Sequence, residues 1–218
     1  MAIERFVRRG RVGRTRPRFH PRPSGAPPGP RRADLRRATL LAAAGTLFET
    51  QGVEATTVDE IALLAGVAKG TFYHYFETKA DLIPALRERF SDAFMTRVKR
   101  AVDACDAHDW HGRLKAWIEA AVIAYFDMSA LHDVVFHGAE MPLRQAMGDI
   151  PVVLDLATLL AGGDAAGVWA VSDAREVAVI MFHGLHGATD EAIVTGRTVD
   201  EIATLLSALY LRMIAVPS

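Results

Sequence analysis

The chain has 218 residues, of which 50% are hydrophobic and 23% charged, a composition typical of a globular protein rather than a disordered or fibrous one. It contains no apolar run of the 18 or more residues that a membrane span requires, so we expect no membrane partner. Its single cysteine, Cys105, excludes an internal disulfide and suits a reducing compartment, so we expect a cytoplasmic protein.

The net charge of −1 conceals an uneven distribution along the chain. Residues 1–32 carry ten arginines and one acid, whereas residues 101–218 carry six basic and sixteen acidic residues. The mixture of arginine, proline and glycine in residues 1–32 predicts a disordered arm, because it offers too little apolar surface to fold. Such an arm either follows nucleic-acid phosphates or is an inert tail or upstream extension, and composition leaves both open.

The first predicted helix follows the arm. Asp34 is placed to cap it, and apolar residues recur on one face through Gln51. Gly52 comes directly after this pattern and is expected to adopt the left-handed conformation that ends the helix.

Two short helices are predicted next. Thr57 and Glu60 have the spacing of a capping box, so a second helix is predicted from Thr57 to about residue 64. A tight turn at residues 65–67 then leads to a third helix over about residues 68–74.

Thr78 and Asp81 repeat the capping pattern and open a longer helix, in which Pro84 is expected to remove a hydrogen bond and cause a bend. Apolar periodicity predicts five further helices, and Gly162, Gly163 and Gly196 are expected to separate some of them. No segment shows sustained alternation, so the predicted fold is all-α. The further helices are expected at residues 112–128, 131–138, 142–162, 173–195 and 198–214.

Two short helices joined by a glycine-containing turn are typical of a helix-turn-helix, whose second helix enters the major groove of DNA. Six apolar residues have the spacing of its small core: Ile61, Ala62, Ala65, Val67, Phe72 and Phe76. Lys69 and Thr71 then reach base edges, while Tyr73 and His74 offer donors to phosphates. Thr57 and Lys79 each lie at a helix start, where backbone amides attract phosphate. The candidate DNA-binding residues are therefore Thr57, Lys69, Thr71, Tyr73, His74 and Lys79.

Residues 36–86 closely resemble the DNA-binding region of the TetR family of bacterial transcriptional regulators. The matching segments are T-T-V-D-E-I-A, A-G-V-A-K-G-T-F-Y-H-Y-F and T-K-A-D-L. This resemblance implies a three-helix DNA-binding domain at residues 33–78 and a helical ligand-binding and dimerisation domain at residues 79–218. It also implies the same six DNA contacts, and a homodimer that releases its DNA operator when a small-molecule effector binds.

The last two predicted helices, residues 173–195 and 198–214, are apolar around much of their circumference. A surface helix of a monomer does not tolerate this, so we expect them to pair with a second subunit in a homodimer; the alternative is that they are two core helices of a monomer. Small residues such as Ala178, Gly184 and Gly187 are expected to permit close crossing. The two-fold axis of a dimer predicts a palindromic operator.

The middle helices are rich in aromatic and histidine residues that suit a small, moderately apolar ligand, although each is also an ordinary core residue. The ligand-binding candidates are Trp117, Tyr125, Phe126, His132, Phe136, His137, Phe182 and His183. His183 and His186, with Asp190 one turn further on, form a possible metal set. No cysteine cluster accompanies them, so we predict neither metal nor cofactor.

The sequence therefore predicts a ligand-responsive, homodimeric, DNA-binding transcriptional regulator without enzymatic activity, more in keeping with a repressor than with an activator. The alternative is a helical enzyme that uses His132, His137 or His183 in acid–base catalysis. That alternative leaves the helix-turn-helix unexplained and lacks a recognisable nucleophile–base pair.

Overall fold

The computed structural model of the protein describes residues 32–137 and 151–216. The arm predicted for residues 1–32 lies outside this range apart from Arg32, as do residues 142–150 of a predicted helix. The described residues form eight α-helices and contain no strand, which confirms the all-α fold. The helices are α1 (Arg32–Gln51), α2 (Val58–Leu64), α3 (Lys69–Tyr75), α4 (Leu82–Asp103), α5 (Trp110–His132), α6 (Pro151–Ala165), α7 (Ala174–Thr195) and α8 (Val199–Met213).

The first helix begins earlier than its sequence pattern indicated. Because α1 already includes Arg32, Asp34 lies inside its first turn, and the prediction that Asp34 is the cap is wrong. Its carboxylate still lies at the positive end of the helix dipole, which favours an acid there. The predicted end is confirmed, since Gly52 has φ +82 and its amide donates to Phe48 O at 3.0 Å.

Local hydrogen bonds define the start of α2. The Thr57 hydroxyl accepts from the Glu60 amide at 3.2 Å, and the Glu60 carboxylate accepts from the Thr57 amide at 2.8 Å. This confirms the capping box. The turn into α3 comprises residues 65–68, one residue longer than predicted, and passes through Gly66 at φ +67.

Two groups of buried side chains hold the helices together. A smaller core joins α1, α2 and α3 to the first turns of α4, and its centre includes Phe48, Ile61 and Phe72. A larger core fills the space between α4, α5, α6, α7 and α8. Since residues 82–86 belong to the smaller core and residues 90–102 to the larger, α4 runs through both.

A π-helical turn, Asp133–His137, continues directly from α5 and replaces the separate helix predicted at residues 131–138. Val135 is fully buried in the smaller core, while Leu131 and Phe136 pack against both cores. The Arg87 guanidinium donates from Nε to Val135 O, which ties the turn to α4. This turn is therefore a second connection between the two cores.

The predicted effect of Pro84 is wrong because of where α4 begins. Leu82 is the first residue of α4, so Pro84 lies in its first turn. The amides of a first turn have no partner within the helix, so a proline there removes no hydrogen bond.

Gly162 and Gly163 lie inside α6 instead of ending it, contrary to the prediction. A methyl group at Gly162 would lie 2.5 Å from Trp110 Cη2, and one at Gly163 only 2.0 Å from Trp169 Cζ2. The two glycines therefore leave room for two indole rings against the helix backbone. Trp169 Nε1 donates to Leu160 O at 2.7 Å on the same helix.

The last two helices start and stop as predicted. Asp173 caps α7, Gly196 ends it at φ +74, and Thr198 forms a capping box with Glu201 at the start of α8. The Tyr210 hydroxyl joins the pair by donating to Met181 O at 2.6 Å.

Two of the small residues expected between subunits have a different role, since Ala178 is fully buried within the chain and a methyl group at Gly184 would lie 2.9 Å from Tyr210 Oη. In the described part of the chain, no helix is long and apolar enough to cross a membrane.

Candidate nucleic-acid interface and ligand site

The outer face of α3 carries the polar residues that sequence reasoning selected. Phe72 is fully buried and anchors the helix, and its ring packs against Phe76 at 5.7 Å. Tyr73, which is 52% exposed, and His74 point away from this core, and Thr71 is half-buried beside them. The burial of one face of α3 therefore leaves a polar face available to a partner.

Lys69, the first residue of α3, is held by a residue of α2. Its ammonium donates to Asp59 Oδ2 at 2.9 Å, and the two side chains remain 52% and 67% exposed. This hydrogen bond and the charge of Asp59 raise the pKa of Lys69. The sequence did not predict this pair, because its members are ten residues apart and lie on two helices.

Thr57 is exposed at the start of α2, but Glu60 engages both of its polar groups. The Thr57 hydroxyl donates to Glu60 Oε2 at 2.8 Å, and its amide is bound by the same oxygen. These bonds, led by the one from the amide, lower the pKa of Glu60. A phosphate at this helix start would have to compete with the Glu60 carboxylate.

Lys79 is half-buried, and its side chain reaches back to the loop before α2. Its ammonium donates to Val53 O at 2.5 Å, to Thr56 O at 2.8 Å and to Glu54 O at 3.2 Å. All three acceptors belong to the loop between α1 and α2. An ammonium has three protons, so Lys79 has a complete set of protein acceptors in this conformation.

A shallow groove of about 440 Å³ runs between the start of α1 and the polar face of α3. Arg36 contributes a cation to it, although Arg36 was not among the predicted DNA contacts. Its charge was visible in the sequence, but only folding places α1 beside α3. The groove is lined by Ala33, Arg36, Gly70, Thr71, His74 and Tyr75.

A second polar cluster lies inside the larger core, between α5 and α7. The buried Tyr125 hydroxyl donates to Asp190 Oδ1 at 2.6 Å and lies 3.3 Å from Nδ1 of the buried His132. Burial, reinforced by the hydrogen bond to Asp190, raises the pKa of Tyr125. The tyrosine therefore stays protonated and links the end of α5 to α7.

Aromatic rings surround this cluster. His186 lies 4.8 Å from the Tyr125 ring and 4.4 Å from the Phe182 ring, while Phe136 lies 4.9 Å from His132. Burial lowers the pKa of His186 to about 4, so its imidazole is neutral at pH 7. The structure therefore brings four predicted ligand residues together and adds His186 to them; the four are Tyr125, His132, Phe136 and Phe182.

The structure gives the remaining ligand candidates different surroundings, and among them the His183 ring lies 5.4 Å from that of Phe182. Trp117 is buried, and its Nε1 has no hydrogen-bond partner among the described residues. Phe126 is half-buried against the larger core, and His183 is exposed on α7. The side chain of His137 lies outside the described part of the structure.

The histidines do not assemble a metal site in the part of the chain that the structure describes. His183 is exposed, whereas His186 faces inward with Nδ1 3.2 Å from Phe182 O. Within residues 32–137 and 151–216, no group of three His, Cys, Asp or Glu side chains is arranged to hold a metal ion.

An exposed apolar surface covers α7 and α8, and we call it the terminal apolar face. On α7, Ile180 is 60% and Val194 85% exposed. On α8, Leu205, Leu209 and Met213 recur at helical spacing and are each more than one-third exposed. Exposed apolar residues that recur along a helix in this way mark a candidate protein interface.

Comparison with known proteins relates the N-terminal region to DNA-binding regulators. A family model described as bacterial regulatory proteins of the tetR family matches residues 40–86. The HTH-type transcriptional repressor KstR2 of Mycolicibacterium smegmatis is 36% identical over 78 residues, which is 36% of this chain. The match spans only 38% of that repressor's length.

Solved structures resemble the whole described fold. A protein with unknown function from Rhodococcus sp. RHA1 superposes with a TM-score of 0.70 at 24% identity, over 83% of this chain and 96% of that one. SmeT in its complex with triclosan gives a TM-score of 0.66 at 18% identity, over 84% of this chain and 93% of that one. At these identities the likeness establishes a shared fold.

Proposed function

We propose that this chain, whose residues 40–86 match the tetR family of bacterial regulatory proteins, is a homodimeric, DNA-binding transcriptional repressor released by a small, moderately apolar effector. The observation that carries the proposal is the helix-turn-helix itself. Its second helix is anchored by the buried Phe72 and presents Lys69, Thr71, Tyr73 and His74 outward. That arrangement suits entry into the major groove.

The proposed DNA contacts follow from exposure and charge. Lys69 and Thr71 lie at the start of α3, where side chains reach base edges, and Tyr73 and His74 offer donors to phosphates. Arg36 joins them from the neighbouring wall of the groove. Thr57 and Lys79 act chiefly by shaping the loop and start of α2, because Glu60 and the loop carbonyls engage their polar groups.

The proposed dimer forms through the terminal apolar face. Two copies of α7 and α8 would make a four-helix interface about a two-fold axis, burying Ile180, Val194 and Leu209. Gly187 has no atom within 4 Å of the place a methyl group would occupy, so a partner helix has room to approach there. A two-fold dimer presents two recognition helices to a palindromic operator.

The proposed effector site is the cluster around Tyr125, His132 and His186. Aromatic walls with a few hydrogen-bonding groups suit a moderately apolar molecule. The cluster borders the π-helical turn whose Val135 lies in the smaller core, so a ligand that displaces Phe136 or His132 would act directly on the DNA-binding region. The triclosan complex of SmeT, a protein of the same fold, supports this class of ligand. A coupling of about 1–3 kcal/mol is usual between two such sites.

The test is to select binding sites from a pool of random DNA duplexes, and to measure the mass of the protein in solution. We expect a dimer that enriches one palindrome, and a His74→Ala variant that binds it more weakly. Lys115→Met, on the distant helix α5, serves as the control for a change outside the interface. A monomer, or a pool that shows no enrichment at low salt, would contradict the proposal. A reporter gene then distinguishes repression from activation.

A further inference from the structure

The recognition helix α3 contains one formally charged residue, Lys69, and that charge is matched within the protein. The ammonium of Lys69 bonds to Asp59 of α2 at 2.9 Å, although both side chains are more than half exposed. Exposed ion pairs contribute little to folding, because solvent screens them and ordering two side chains costs entropy. A carboxylate on a surface that faces DNA also opposes binding to phosphates. The pair therefore calls for an explanation other than stability.

The two kinds of acceptor on DNA differ in how well they fit this pair. A phosphate oxygen that bonds to Lys69 would lie within a few ångströms of the Asp59 carboxylate and be repelled by it. The edge of a base is neutral, so Lys69 can donate to it while keeping Asp59 as a neighbour. Only one of the three ammonium protons is used by Asp59, which leaves two for another acceptor.

The arrangement of donors and acceptors then selects among base pairs. In the major groove guanine presents two adjacent acceptors, O6 and N7, next to the amino group of cytosine N4. An ammonium beside a carboxylate matches this order. Adenine also presents an acceptor, N7, beside an amino group, N6, but it offers the ammonium one acceptor where guanine offers two, so only G·C engages both free protons of Lys69 together with Asp59.

We propose that Lys69 and Asp59 together read one G·C base pair in each half of the operator, with Lys69 donating to guanine and Asp59 accepting from cytosine N4. This inference rests on the DNA-binding function proposed above. Asp59 is therefore a specificity-determining residue. It also keeps Lys69 from acting as a general phosphate anchor.

The experiment compares the selected palindrome with a version in which each G·C pair is changed in turn to A·T. For the wild-type protein, one symmetric position is expected to lose about five- to 150-fold in affinity, the range for a well-placed base contact. In Asp59→Ala, this preference should fall to less than about threefold, while preferences at the other positions remain. Binding to random DNA should become more sensitive to salt, by about 0.9 in slope per recognition helix, because Lys69 is freed for phosphate.

Glu49→Ala is the matched control, because it removes another exposed acid, from α1. It is expected to leave both the base preference and the salt slope unchanged. The inference is overturned if Asp59→Ala keeps the wild-type preference at every G·C position, or if its salt slope for random DNA stays at the wild-type value. If the wild-type protein enriches no sequence, the proposed function itself fails, and that outcome is distinct from the loss of one base preference.

Discussion

Replacing Lys79 by Met tests whether this residue supports the loop before α2 or contacts DNA. In the structure its ammonium donates to three backbone carbonyls, of Val53, Glu54 and Thr56, at 2.5–3.2 Å. Hydrogen bonds from a charged donor contribute about 1.5–3 kcal/mol each when buried. Here Lys79 is half-buried, so water can replace part of these bonds. We therefore expect Lys79→Met to lose about 1–3 kcal/mol of unfolding free energy in total.

The DNA-binding assay separates the two roles of Lys79. A lysine that contacts phosphate contributes about 0.9 to the slope of log affinity against log salt, and its removal lowers that slope. If Lys79 stays on the loop carbonyls in the complex, operator and random-DNA affinity fall together and the slope is unchanged. Urea unfolding and fluorescence anisotropy at four salt concentrations measure both quantities. Lys115→Met, which removes an exposed lysine from α5, is the control.

The reasoning about Lys79 would be refuted by an unchanged unfolding free energy together with a slope reduced by about one unit per subunit. That result would mean that the ammonium leaves its carbonyls for a phosphate at no cost to folding. A loss of stability together with a reduced slope would show that one lysine serves both purposes.

Three further predictions concern the larger core. Tyr125→Phe leaves Asp190 without its donor, so the free energy of unfolding measured in urea should fall by about 1–3 kcal/mol. A fall of less than about 0.5 kcal/mol would contradict a buried hydrogen bond between Tyr125 and Asp190. The pKa of His186 is about 4 when folded and near 6.5 when unfolded, so stability should fall from pH 6.5 to pH 4, by about 3 kcal/mol at most. His186→Leu should flatten that dependence, whereas His108→Leu, at an exposed site, should not. Gly163→Ala should displace the Trp169 indole, shift its fluorescence to longer wavelength and lower the free energy of unfolding by about 1–3 kcal/mol. An unchanged emission spectrum would argue against the contact between Gly163 and Trp169.

Several features of the helix ends and of the helix-turn-helix follow from short-range sequence signals. The capping box at Thr57 and the left-handed Gly52 were predicted correctly, and Gly196 separates two helices as expected. Each depends on residues no more than about four positions apart, so local chemistry is sufficient to determine them. The small core under α3 was also predictable, because burial of Phe72 and its neighbours follows from helical spacing.

The errors came from helix boundaries and from packing partners. Pro84 was expected to bend α4 because its start was placed too early, and Gly162 was expected to end a helix that continues to Ala165. In both cases the residue type was interpreted correctly in isolation. What it does depends on its position within the helix, or on an indole ring supplied by a residue far away in the chain.

By itself, therefore, the sequence determined the all-α class, the cap of α2 and the helix-turn-helix that carries the family resemblance. Only the tertiary structure decided how the functional side chains are engaged. The Tyr125–Asp190 bond spans 65 residues and the Lys79 bond to Val53 spans 26, while Asp59 and Lys69 meet across a turn between two helices. These contacts follow from how the helices pack against one another, and helical periodicity describes one helix at a time.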